Sequence, residues 1–225
     1  MFKIVRNMLL PSKPRLVSRD SGHETTGEPR RSGSWDPRDI ERMVDYVKKN
    51  GVQGDFAEIG VYRGEAFQCL VHQAREVGRL AHAFDSFCGM AEPTVFDGAN
   101  YPKGKFDVGG VEEFKKLMLE RGVAASFYQT WPGFIPQCFS HVPATLNFAL
   151  VILDVDHYQP TVEALHWVWP RLSVGGLLAL DDFIPSQAGL ATRAIKEFIR
   201  QRNDFDIVDI YNNQLILAKI LTESP

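Results

Sequence analysis

Four apolar runs in this chain stop on or beside an acid, and helix-length amphipathic segments separate them. The runs are "GDFAEIG", "RLAHAFDSF", "LNFALVILDVD" and "GGLLALDDF", and they bring Glu58, Asp85, Asp154 with Asp156, and Asp181 with Asp182 to strand ends. Short apolar runs of this kind read as buried strands. The segments around them carry helical spacing. In "DPRDIERMVDYVKKNG", Asp36 is an N-cap, Pro37 fits the first helical position and Gly51 suits the C-terminal cap, while Ile40, Met43, Val44 and Val47 share one face. "EAFQCLVHQAREVG", "VEEFKKLMLERG", "TVEALHWVWPRL" and "ATRAIKEFIRQR" are further helices, and "AASFYQ" is an additional strand. Such alternation predicts a mostly parallel sheet with helices on both faces. The tail departs from it: "FDIVDIY" and "QLILAKI" flank Asn212-Asn213, the pattern of an antiparallel hairpin. In sheets of this class ligands bind beyond the carboxyl ends of the strands. Asp is common in turns, but four acidic strand ends on one edge argue for a site.

The chain has 225 residues, 44% hydrophobic and 24% charged, which suits one globular α/β domain over residues 36–225. Residues 1–35 are read as a flexible arm, rich in Ser, Gly, Pro and Arg from 11 onward. The apolar stretch Met8–Leu10 is too short for a secretory or membrane-spanning segment. A net charge of −3 gives no footprint for nucleic acid or an anionic membrane. Cys69, Cys88 and Cys138 are odd in number and far apart, so reduced thiols in a cytoplasmic protein are expected rather than a disulfide framework or a zinc site.

"AEIGVYRGEA" places Glu58, Gly60 and Gly64 on the first strand-to-helix turn. Glycines there let the backbone approach a ligand. Tyr62 stands where a dinucleotide fingerprint needs its second glycine, which disfavours a pyrophosphate binder. Asp85, ending the next strand, sits where an acid accepts hydrogen bonds from ribose hydroxyls. Tyr62 and Arg63 face the cofactor or the substrate. Across the sheet, Asp154, Asp181 and Asp182 form a set of hard oxygen ligands suited to Mg²⁺, whose charge relieves their mutual repulsion.

These motifs, with "FDSF", "LDVDHY" and "LALDDF", resemble class I S-adenosylmethionine-dependent methyltransferases. "DSFCGMAEPTVFDG", "LDVDHYQPTVEALHWVWPRLSVGGLLALDDF" and "ATRAIKEF" resemble the macrocin O-methyltransferase (TylF-like) family, over about residues 50–200. The resemblance implies a Rossmann-like, seven-stranded sheet with its antiparallel hairpin. It implies that Glu58, Gly60, Tyr62 and Gly64 surround the methionine part of S-adenosylmethionine, and that Asp85 and Ser86 hold the ribose. Gln129, Thr130 and Trp131 would lie near adenine, and Asp154 would serve cofactor and metal together. In metal-dependent O-methyltransferases the equivalent acidic positions bind Mg²⁺, which lowers the pKa of the acceptor hydroxyl. His157 lies where catechol O-methyltransferase resemblance places a base, and an imidazole titrates near neutrality. Asp156 is the rival base, and a helix-cap or metal-shell role for His157 is an equal alternative.

The implied activity is O-methylation of a hydroxyl on a small acceptor, a sugar or glycosylated natural product, by a chain that self-associates as relatives do. A metal-dependent glycosyltransferase would use "DVD" but leave Glu58, Asp85 and Asp181-Asp182 idle, and a non-catalytic S-adenosylmethionine binder would not need the acidic set. The long loop "GMAEPTVFDGANYPKGKF" is read as a lid or acceptor wall. Trp167 and Trp169 are read as packing residues, and His72, His82, His141 and His166 as structural.

Overall fold

The computed structural model describes residues 35–97, 100–183, 190–211 and 213–222. All but Trp35 of the expected arm, and Asn212 of the expected hairpin turn, lie outside these residues. The elements follow the order α1 (Pro37–Lys49), β1 (Asp55–Ile59), α2 (Glu65–Glu76), β2 (Ala81–Asp85), α3 (Val111–Glu120), β3 (Tyr128–Pro132), β4 (Phe148–Leu153), α4 (Tyr158–Arg171), β5 (Leu172–Leu180), α5 (Leu190–Arg200), β6 (Phe205–Tyr211) and β7 (Gln214–Lys219). The seven strands form one sheet in the order β3-β2-β1-β4-β5-β7-β6. Strands β1 to β5 run parallel, and β7 is antiparallel to both β5 and β6. This is the expected sheet with its closing hairpin. Between β1 and β4 the winding direction reverses, which opens a crevice at their carboxyl ends.

All six residues of β4 are buried, as a central parallel strand covered on both faces requires. Its side chains alternate between two cores. Leu150 and Ile152 join Phe56, Phe67 and Met43 beneath α1, α2 and α3. Val151 and Leu153 join Val168, Ile195 and Phe198 beneath α4 and α5. Each fully buried Leu, Ile or Phe contributes about 1.5–3 kcal/mol. Helix α1 begins as its sequence dictates: the Asp36 carboxylate accepts from Arg38 N at 2.9 Å, and Ile40, Met43, Val44 and Val47 are buried. Trp35, expected in the arm, is 4% exposed and packs in this core.

Strand β3 is displaced toward the C-terminus from "AASFYQ". Ala125–Phe127 form a 3₁₀ turn, and pairing starts with Tyr128 opposite Ala81. Two aromatic contacts set this register. The Arg75 guanidinium covers the Phe127 ring at 3.7 Å, and Tyr128 packs edge-on against Phe67 at 5.5 Å. Trp169 is buried and Trp167 stacks on Phe139 at 4.1 Å, so both are packing residues. His82 is buried between Asp55 at 3.0 Å and the Trp131 indole N–H at 3.1 Å. All three cysteines are free.

Candidate active site

Backbone hydrogen bonds continue the sheet past its strands and set the acidic ends side by side. Gly133 N donates to Asp85 O, Gly60 N to Phe84 O, Asp154 N to Ile59 O and Asp181 N to Leu153 O, all within 2.8–3.0 Å. Neighbouring strands lie about 4.8 Å apart, so carboxylates distant in sequence share one rim. Above this rim opens a cleft of about 1100 Å³. Its floor and walls include Trp35, Gly60, Asp85, Asp154 and Gly133, and Tyr101 and Phe106 of the long loop. Pockets for one drug-sized ligand span about 300–1,000 Å³, so this cleft has room for a donor and an acceptor together.

On the β1–β2 side, Gly60 has a φ of +88°, and a Cβ built there would lie 1.8 Å from the Asp154 carbonyl oxygen. Only glycine lets the turn after β1 pass this close to β4. Gly64 is also left-handed, but it faces away from the cleft: its Cβ would meet Met118 Sδ at 2.7 Å and Phe114 at 2.9 Å on α3. Asp85 holds the first turn in shape. Its Oδ2 accepts from Val61 N and Tyr62 N at 2.9 and 3.0 Å, and its Oδ1 accepts from Phe87 N at 2.7 Å. Burial raises its carboxyl pKa, and these three donors hold that rise back. Ser86 Oγ donates to Gly89 O at 2.6 Å and lines the cleft. Glu58 lies behind the cleft wall, 4% exposed, with Oε2 lacking a hydrogen-bond partner. Burial, with the nearby Asp85 charge, pushes its pKa well up.

On the β4–β5 side, Asp154, Asp156 and Asp182 each offer a carboxylate oxygen within 4.8 Å of the others. Asp181 is outside this trio. It is buried, its side chain is engaged by Gln214, and its Oδ1 has no partner. The sequence pairs Asp181 with Asp154 and Asp182 for the metal and weighs Asp156 against His157 as the base; in the structure Asp156, at a left-handed φ of 57°, brings its carboxylate beside those of Asp154 and Asp182. Asp182 is left-handed too, φ 55°, and accepts from Asn213 Nδ2 at 2.8 Å. Unusual backbone at both positions marks a site whose surroundings impose it. Burial, then the neighbouring Asp charges, raises the carboxyl pKa values of Asp154, Asp156 and Asp181, with Asp156 and Asp181 pushed up to about 7, and burial raises that of Asp182 against hydrogen bonds from Asn213 and Asp156. Asp156 and Asp182 are hydrogen-bonded to each other, as two carboxylates sharing a proton can be.

His157 caps the start of α4, is 3% exposed and lines the cleft. Its Nε2 lies 3.0 Å from the Tyr101 carbonyl oxygen. A carbonyl oxygen only accepts, so Nε2 is the donor in that contact. The Tyr101 hydroxyl hydrogen-bonds Asp156, and the Asp97 carboxylate accepts from Tyr158 N at 2.7 Å. The long loop is thereby latched to the turn after β4. Phe106 meets Tyr62 edge-on at 5.1 Å, and Lys105 sits 4.0 Å from the Tyr101 ring centroid, its charge opposing the rise at Asp156.

Glu58, Gly60, Tyr62, Asp85, Ser86, Asp154, Asp156, His157, Asp181 and Asp182 thus meet at or just behind one rim. Gln129, Thr130 and Trp131 do not line the cleft. The displaced β3 puts them inside the strand, with Trp131 turned onto His82 and Gln129 exposed, and Gly133, Phe134 and Ile135 reach the cleft in their place. Trp35, Tyr101, Asn213 and Gln214 line the cleft without having been singled out. Tyr101 lay within the predicted lid, and Gln214 opens the predicted second hairpin strand. Nothing in the local sequence marked Trp35.

A family model described as macrocin O-methyltransferase (TylF) matches residues 32–213. The chain is 28% identical over 182 residues to the 8-demethyl-8-(2,3-dimethoxy-alpha-L-rhamnosyl)-tetracenomycin-C 4'-O-methyltransferase of Streptomyces olivaceus, across 76% of this chain and 67% of that protein. It is 27% identical over 156 residues to the mycinamicin III 3''-O-methyltransferase of Micromonospora griseorubida, across 64% and 61%. The match to these relatives thus spans only about two thirds of their length. Among solved structures, the O-methyltransferase NovP superposes with a TM-score of 0.73 at 21% identity, across 82% of this chain and 79% of that one. The calicheamicin methyltransferase CalS11 superposes at 0.63 and 20%, across 80% and 78%. By its family match and its sheet, this chain belongs to the macrocin O-methyltransferase (TylF) family of class I methyltransferases.

Proposed function

We propose that this chain transfers the methyl group of S-adenosylmethionine to a sugar hydroxyl of a glycosylated natural product, with Mg²⁺ as a required ion. The observation that carries the proposal is the single rim at which Gly60 and Asp85 adjoin the trio Asp154, Asp156 and Asp182. The Streptomyces olivaceus relative is named for a rhamnosyl-bearing tetracenomycin and the Micromonospora griseorubida relative for mycinamicin III, which supports the acceptor class.

The residues present fit both groups. The buried Asp182 Oδ2, which lacks a hydrogen-bond partner, sits beside Asp154 and Asp156, whose ionisation the neighbouring charges oppose, and a small hard cation with carboxylate ligands resolves that conflict. Asp154, Asp156 and Asp182 would hold it. The left-handed turn at Gly60 gives a sulfonium donor close backbone approach, and Asp85 has spare carboxylate lone pairs for ribose hydroxyls after its three backbone bonds. When bound, S-adenosylmethionine supplies an electrophilic methyl group, and the cation supplies positive charge that favours an ionised acceptor hydroxyl. The protein's own work is to orient, to exclude water and to take a proton. The lid residues Tyr101 and Phe106 wall the cleft, and His157 Nδ1 takes the proton, since Asp156 belongs to the cation trio.

Calorimetry with S-adenosylhomocysteine, followed by turnover assays in EDTA and in Mg²⁺, tests this reading. Binding that Asp85→Ala weakens about tenfold or more, and activity abolished by chelator and restored by Mg²⁺, are expected. Full activity in EDTA removes the metal. Comparison of His157→Gln with Asp156→Asn across pH assigns the base, and a wild-type rate in the His157 variant would hand the role to Asp156. The proposal extends to self-association, favoured by exposed Ile207 and Ile210 on β6, an open edge of the sheet. Light scattering that shows only monomer would remove it. A cytoplasmic setting, favoured by three free thiols, is refuted if cell fractionation recovers the chain elsewhere.

A further inference from the structure

The closing hairpin sets amide side chains opposite the acids that end β5. Its antiparallel register pairs Leu180 of β5 with Leu215 of β7. Continued past the strand ends, that register carries Asp181 opposite Gln214 and Asp182 opposite Asn213. Directly opposed residues of an antiparallel pair share a face of the sheet, with Cβ atoms about 4.5–5.5 Å apart. The second of these pairs is joined by a hydrogen bond. Asn213 Nδ2 donates to Asp182 Oδ1 at 2.8 Å. An ionised carboxylate only accepts, so the amide must turn its nitrogen and not its oxygen toward it.

Asn213 grips this segment with its backbone as well. Phe183 N, one residue beyond Asp182, donates to Asn213 O at 2.8 Å. From α5, the buried Thr192 donates its Oγ1 to the Asp182 carbonyl oxygen. These contacts hold Asp182 at its left-handed φ of 55°, a conformation that persists only where the surroundings impose it. They also distinguish the two carboxylate oxygens. Oδ1 is committed to Asn213, and Oδ2, buried and without a hydrogen-bond partner, is the oxygen left for a cation. Ligating carboxylates are themselves held by hydrogen bonds that fix their orientation. A neutral amide suits that task, because a lysine or arginine in its place would set a positive charge against the ion.

We propose that Asn213 is a positioning residue of the cation site, holding Asp182 so that its remaining oxygen is available to Mg²⁺ beside Asp154 and Asp156. The inference rests on the metal reading above and adds the residue that orients one of the ligands. It gives the Asn-rich hairpin turn a task beyond reversing the chain, and it ties the antiparallel end of the sheet to the chemistry of the parallel part.

The test titrates the metal alone. In calorimetry without acceptor, Asn213→Ala should bind Mg²⁺ about 10–100-fold more weakly than the wild-type chain, the range for loss of a partner that orients a metal ligand. S-adenosylhomocysteine, titrated into both proteins in EDTA, should stay within about twofold, because Asp85 and the Gly60 turn are untouched. Unchanged Mg²⁺ affinity would overturn the assignment. Equal weakening of Mg²⁺ and S-adenosylhomocysteine would overturn it too, since a residue that only shapes the turn would disturb both. A wild-type chain that takes no Mg²⁺ would instead bring down the metal reading, and this inference with it. A second measurement covers a variant that folds poorly. In ¹H–¹⁵N spectra of the wild-type chain, the Asn213 side-chain amide pair should shift as Mg²⁺ is added and stay in place with S-adenosylhomocysteine in EDTA. A pair unmoved by Mg²⁺, or moved alike by both, overturns the proposal.

Discussion

Gly60 serves two constraints through one missing side chain. Its φ of +88° is costly for any L-residue, and a Cβ there would sit 1.8 Å from the Asp154 carbonyl oxygen. Gly60→Ala should therefore lower stability by about 3 kcal/mol or more, combining backbone strain with a backbone clash. A urea midpoint unchanged from wild type would contradict this. The sequence marked Gly60 for close approach to a ligand; the structure adds close approach to β4, a contact between residues far apart in the chain. Asp156 shows the same limit. Its residue type was legible as functional, but its task depends on a left-handed φ of 57° that "DVDH" does not encode. Gln129 and Trp131 lie off the cleft because β3 begins at Tyr128, where Phe127 and Tyr128 pack against Arg75 and Phe67 of α2, a contact that local pattern does not show.

Elements rather than single residues set the cleft's access. The loop between β2 and α3 is tied down where Asp97 Oδ1 accepts from Tyr158 N at the start of α4, and where the Tyr101 carbonyl meets His157 Nε2. Asp97 Oδ2 also accepts from Thr94 N and Oγ1 at 2.8 and 2.7 Å, so one carboxylate organises the turn and docks it. Asp97→Ala should speed deuterium uptake across residues 90–106 and reduce kcat/KM about tenfold, in line with about 1.4 kcal/mol of lost positioning. Hydrogen exchange by mass spectrometry decides it, and unchanged uptake would show that the latch lies elsewhere. The loop's length announced such a role in the sequence. Its anchoring residues on α4 could be found only once the fold brought them together.

For the molecule as a whole, the acidic rim couples stability to pH and to metal. Asp156 and Asp181 are pushed up to about 7 in the folded chain, whereas unfolded Asp titrates near 3.9. Between these values the folded protein holds protons that the unfolded chain has released. Their contribution is thus complete below about pH 4 and is lost as pH rises through about 7, by up to about 1.4 kcal/mol per pH unit for each group. In EDTA, urea midpoints should fall between pH 5.5 and 8. Millimolar Mg²⁺ should flatten that decline, because a bound cation favours the ionised carboxylates. A decline of equal slope with and without Mg²⁺ would argue against a cation at the trio. Asp182→Asn, which removes one of the crowded charges, should make the metal-free decline shallower in the same assay.

Hydrophobic periodicity, acidic strand ends and the glycine turn determined the class of fold, the edge that carries the site and the families it resembles. Those features are local, because side-chain period and turn chemistry follow from a few neighbouring residues. Tertiary structure alone decided which three carboxylates converge, where β3 begins, and that Trp35 packs in the core beside the cleft. Each of these depends on contacts between distant segments, where strand register, backbone handedness and burial are settled together by packing rather than by any short stretch of sequence.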